Sequence, residues 1–261
     1  MTPLDLAYEA MAAAPDGDDA PRLRFYERIA DGEMILLLEK EAEGETLAPR
    51  VFDLEDGPVV LVFDTEERLG AFTGMPAPYA ALPGRVIAGL LAGQGIGLGV
   101  NLGVAPSSML LPPFAVDWLA ETLAHGPEEA EARPERFEPP RGLPQGLIEG
   151  LDAKLARAGG LAAHALLAAV IYEGGRQGHM LAFVDAVEGA QTALARAAAE
   201  ALTFSGVEAG EMDVAFLDGD TAVVAAMARV ALRFDLPVPV AAEPPAPQAP
   251  GMDPANPPVL R

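Results

Sequence analysis

Aspartate recurs in one setting along this chain: an apolar run that reaches phenylalanine, then a carboxylate, then a helix-like stretch. The instances are Phe63-Asp64, Phe183-Val184-Asp185 and Phe216-Leu217-Asp218-Gly219-Asp220. Carboxylates at strand ends are where α/β proteins often place their sites. Asp64, Asp185 and Asp218 are therefore the candidates for acid–base or metal-assisted chemistry, on condition that two of them converge. Aspartate is also among the best helix N-caps, so capping is the simpler reading at each position.

Other reactive groups are sparse. The histidines, His125, His164 and His179, lie too far apart in sequence to form a metal pair one turn apart on a helix, and no metal is expected. The serines are Ser107, Ser108 and Ser205; none sits in a G-x-S-x-G elbow, and Ser107 and Ser108 beside Pro106 read as turn residues. The glycines from Gly93 to Gly103 fit neither G-x-G-x-x-G nor a P-loop, because the register fails and no lysine is near. They read instead as a strand whose glycines admit a close neighbour. With no cysteine there is no disulfide, thiolate metal site or thiol nucleophile, and a reducing cytoplasm is the natural setting. No catalytic motif and no cofactor motif is present, so a non-enzymatic protein is the expectation.

Charge narrows the partners. Acidic residues number 39 against 17 basic ones, a net charge of −22, and the only lysines are Lys40 and Lys154. Phosphate binding needs clustered cations, so nucleic acid and anionic membrane surfaces are not expected partners. A protein partner or a small polar ligand is compatible with this charge. Val86 to Val116 carries no charge, but its glycine alternation and Pro106, Pro112 and Pro113 fit a short helix and two buried strands better than a membrane span. The amino-terminal stretch has Asp5 and Glu9 and no basic residue before Arg22, unlike a signal peptide.

The elements that must position these groups follow from periodicity. Leu4, Tyr8 and Met11, then Leu23, Tyr26 and Ile29, predict two helices; Met34 to Leu38, Leu47 to Asp53 and Val59 to Phe63 predict three strands in a meander. A helix follows, with Asp64 or Thr65 as its cap, and another carries Val86, Ile87, Leu90 and Leu91. The glycine-rich strand, a short strand at Met109 to Leu111, and a helix opened by Pro112-Pro113 complete the first unit. Residues 127–145 are proline-rich and acidic and read as a linker. Beyond it the pattern is αββαβα, ending in a helix through Val223, Met227, Val230, Ala231 and Phe234. The fold class is α+β: two mixed α/β units, each a small mostly antiparallel or mixed sheet covered by helices. The units span 1–126 and 146–237, and 238–261 is expected to be a disordered proline-rich tail.

The run Arg22-Leu23-Arg24-Phe25-Tyr26-Glu27-Arg28, the segment from Val59 to Leu69, Tyr79, Leu82-Pro83-Gly84, and Gly97 to Gly103 together resemble the N-terminal domain of the SseB family. The resemblance covers Arg22 to Leu123; the second half is similar to the family's C-terminal domain only in its arrangement of elements. It implies a bacterial cytoplasmic protein named for enhanced serine sensitivity rather than for a reaction, with no agreed catalytic residues. Leu102 stands where family members often have the proline of an Asn-Pro-Gly-like turn. The expected ligand or partner surface is the end of the glycine-rich strand with the acidic turn beside it: Asp64, Glu67, Arg68, Asn101 and Gly103.

Overall fold

A computed structural model describes residues 1–42, 44, 46–55, 57–124, 133–206 and 212–238. The 238–261 tail expectation falls, except for Val238, outside them, as does His125.

Two helices come first, α1 (Pro3–Ala12) and α2 (Ala20–Asp31). Thr2 and Asp5 form a capping box at the start of α1, each side chain bonding the other's backbone amide, and Pro3 sits where no amide donor is needed. The first sheet then builds from β1 (Glu33–Leu37), β2 (Val51–Leu54) and β3 (Gly57–Phe63), helix α3 (Glu66–Thr73), β4 (Tyr79–Pro83), α4 (Gly84–Leu91), β5 (Gly97–Val100), β6 (Met109–Leu111) and α5 (Pro113–Ala124). Its order is β4-β1-β3-β5-β6, with β3 and β5 parallel.

Two expectations are corrected here, and one strand is added. The three early strands are not a meander: β1 and β2 both pair with β3, at Val62 and Phe63 and at Gly57 to Val60 respectively. Tyr79–Pro83, unassigned from sequence, is an edge strand on β1. Gly93 and Gly95 belong to a turn, both at positive φ, and only Gly97 to Val100 pair as a strand. There the close-neighbour reading holds: a Cβ on Gly97 would lie 2.7 Å from the Leu111 carbonyl oxygen, and one on Gly99 2.6 Å from Leu61.

The second unit runs β7 (Pro134–Glu138), α6 (Gln145–Leu155), β8 (His164–Tyr172), β9 (Gln177–Val184), α7 (Gln191–Phe204), β10 (Met212–Leu217), α8 (Ala222–Met227) and β11 (Leu232–Asp235). Its sheet order is β10-β9-β8-β11, with β7 also on β8 and β9 parallel to β10. The αββαβα core is as expected, flanked by two strands that were not. Pro134–Glu138, read as linker, pairs with Ala169 to Tyr172, and Leu232–Asp235, read as the end of the last helix, pairs with His164 to Leu167. Phe234 suits either period: it is buried between exposed Arg233 and Asp235, the alternation of a half-covered strand.

Each sheet is covered on both faces, so the chain is α+β with two mixed sheets. The first core gathers Phe25, Ile29, Met34, Leu36, Val60, Val62, Ile87, Leu98 and Leu119, and it also receives Phe204 from α7. Phe204 meets Trp118 edge to face, which joins the two units through apolar contact. Among the described residues no helix is long and apolar enough to cross a membrane.

Candidate functional site

Strands β3 and β5 run parallel, so their carboxyl ends deliver Asp64 and Asn101 side by side. The Asp64 amide donates to Asn101 Oδ1 at 3.2 Å, and the Asn101 amide donates to the Val62 carbonyl at 2.9 Å. Asn101 takes φ +48°, a left-handed conformation that asparagine tolerates better than most residues. Helix α3 begins here, but its N-cap is Thr65, whose hydroxyl accepts from the Arg68 amide. That leaves the Asp64 carboxylate for other work, and the capping expectation for Asp64 is corrected.

One turn along α3, Arg68 folds back between two carboxylates. It donates to Asp64 Oδ1 at 2.7 Å and to Asp5 Oδ2 at 2.5 Å. Thr2 donates its hydroxyl to Asp64 Oδ2 at 2.6 Å, and Ser107 donates to Asp5 Oδ1 at 2.6 Å. Asn101 Nδ2 donates to Ser107 Oγ at 2.9 Å and closes the ring of contacts. Asp5, Asn101 and Ser107 are buried. Burial pushes the Asp5 carboxyl up, but the bonds from Arg68, Ser107 and the Thr2 amide outweigh it and hold that carboxyl far below the usual range. Burial likewise disfavours the Arg68 charge, yet the two aspartates keep its pKa raised.

Of the residues expected at a binding surface, three therefore converge: Asp64, Arg68 and Asn101. Glu67 is exposed on α3, and Gly103, at φ +71°, gives its amide to Ser108 Oγ at 3.1 Å. Thr2, Asp5 and Ser107 complete the network and were not recognised as members. The Thr2-x-x-Asp5 spacing signals a helix start in the sequence, but not that its carboxylate reaches Arg68. Chemically, the arrangement is a latch: the start of α1 fills the crevice at the carboxyl ends of the parallel pair, the usual ligand position in open α/β sheets.

The second parallel pair repeats the device. Asp185, after β9, stands at φ +52°, donates its amide to the Leu217 carbonyl, and accepts from the Gly219 amide at 2.8 Å. It therefore ties β9 to β10 and does not cap a helix; α8 is capped by Thr221. Asp185 and Asp218 are neighbours at one sheet end, while Asp64 belongs to the other sheet. No group of three or more His, Asp or Glu among the described residues is placed to hold a metal. His164 pairs with Val184 and His179 with Ala169, at different points of the β8–β9 ladder. Ser205 spends its hydroxyl on the Leu202 carbonyl.

A second buried polar cluster lies where the units meet. Lys154 of α6 contacts Glu27 at 3.3 Å and Asp31 at 2.8 Å on α2, and Glu200 on α7 at 3.1 Å. Arg85 of α4 pairs with the same Asp31 at 2.5 Å and Glu200 at 3.0 Å. Three carboxylates thus share two cations. Burial raises the Glu27 pKa more than Lys154 lowers it, whereas Asp31, held by both cations, ends below its usual value despite burial.

Fold and site together define an α+β protein of two mixed sheets, each tied at its parallel strand ends by an internally bonded carboxamide or carboxylate. No family model, no curated protein and no solved structure matches this chain.

Proposed function

We propose that this is a non-catalytic binding or regulatory protein, similar to the SseB family and acting in the bacterial cytoplasm in connection with serine sensitivity. The observation that supports it is the use made of Asp64, Arg68 and Asn101. Their polar atoms are committed to Asp5, Thr2, Ser107 and one another, so the Asp64 carboxylate serves to hold the fold. Recognition then falls to surfaces other than this latch, for a small polar ligand or a protein partner.

The test is a screen of the purified chain against L-serine, other amino acids, organic acids and nucleotides. Thermal unfolding reports binding, and one-dimensional NMR of the same mixtures reports turnover. A saturable rise in the unfolding midpoint with an unchanged compound is the expected result. Conversion of any compound at a rate abolished by Asp64→Asn or Asp185→Asn would overturn it in favour of carboxylate catalysis.

A further inference from the structure

Alternation assigns one face of the second sheet to the helices α6 and α7: Ala165 and Leu167 on β8 and Leu181 and Phe183 on β9 are buried in their core. The same face continues along the strands. Register places Ala169 opposite His179, and Ile171 opposite Gln177, with Arg136 and Glu138 of β7 beside Ile171 and Ala169. At this end a cleft of about 590 Å³ opens, lined by these residues together with Gly178 and Arg141. The small side chain of Ala169 keeps its floor low.

Two observations point to a ligand. His179 Nε2 is buried and has no hydrogen-bond partner among the described residues; buried polar atoms in folded proteins nearly always have one. Around it, arginines gather in a chain with only 17 basic residues against 39 acidic ones. Among the described residues Arg136 is held by a largely exposed pair with Glu138 at 3.0 Å, which an anion can displace. Arg141 is exposed and makes no ion pair among the described residues.

We infer that this cleft binds a small organic anion through a carboxylate or phosphate group, with Arg136 and Arg141 as guanidinium forks and His179 Nε2–H as the buried donor. Planar forks match both groups, and the imidazole supplies the directed bond that fixes orientation. This deepens the proposed binding role by giving it a site and a ligand charge.

The experiment follows the His179 ring resonances of the full chain by NMR, assigned through their loss in His179→Gln, during titration with succinate, inorganic phosphate and neutral succinamide. A saturable His179 shift with succinate alone assigns a carboxylate site, with phosphate alone a phosphate site, and with both a general anion site. In each case affinity should fall roughly tenfold or more in the double variant R136Q/R141Q, because both forks are lost. No saturable shift with either anion, an equal shift with succinamide, or undiminished affinity in the double variant overturns the inference. A compound from the metabolite screen that still binds R136Q/R141Q would leave the binding role standing and move its site elsewhere.

Discussion

Arg68 keeps two carboxylates together that would otherwise repel each other where β3 and β5 end. Replacing it with Met leaves Asp5 charged and buried without a counter-ion, a situation that costs about 3–5 kcal/mol. Urea unfolding at neutral pH measures it, and Arg68→Lys should recover only part, since one ammonium cannot present two forked contacts. The pH dependence has a definite sign. The Asp5 pKa is depressed in the folded state, so its stabilisation is complete above the unfolded carboxylate pKa of about 4 and is lost as pH falls further. Asp5→Asn removes that dependence. The stability gap between wild type and variant should therefore narrow as the solution is acidified below that point, as read from urea midpoints.

Among the elements, the contact between α2 and α4 is the most demanding. The Gly84 amide donates to the Gly32 carbonyl at 2.9 Å, and a Cβ on Gly84 would lie 1.9 Å from the Ile29 carbonyl oxygen. Backbone cannot yield there without parting the helices. Gly84→Ala should cost about 3 kcal/mol or more, the upper range for overpacking. Gly89 in the same helix is exposed with open space around it, so Gly89→Ala should gain up to about 1 kcal/mol. Thermal unfolding of the two variants separates packing from propensity. Periodicity located most helices and central strands because each carries its own buried stripe. It missed Tyr79–Pro83, Pro134–Glu138 and Leu232–Asp235, whose short patterns become strands only beside a neighbour's open edge.

At the scale of the molecule, the two units meet through Phe204 in the first core and Lys154 among three carboxylates. Lys154→Met strands those carboxylates with Arg85 alone and should cost about 3–5 kcal/mol, measured by denaturant unfolding. Glu27 behaves oppositely to Asp5. Its folded pKa is raised, first by burial, so its contribution is full below the unfolded value of about 4 and is lost as pH rises through the folded one. The stability of Glu27→Gln relative to wild type should therefore increase with pH above that point and converge with it in acid. A flat difference across the range would show that the carboxyl titrates alike in both states.

The sequence by itself determined the chemistry this protein lacks and the class of its fold. Without cysteine no thiol chemistry is available, and an excess of 22 negative charges disfavours polyanionic partners, whatever the chain's path. Local periods of two and 3.6 were enough to indicate two mixed units. Tertiary structure alone decided which aspartates meet. Asp64 shares Arg68 with Asp5 and lies in a different sheet from Asp185 and Asp218, because sheet order, not sequence spacing, sets which strand ends lie together. The same sheet order turned Asp185, which reads as a helix cap, into a tie between parallel strands. Asp64 is drawn from capping by Arg68 one turn along and by Thr2 far away in the chain, and Asp185 by the distant Gly219 amide.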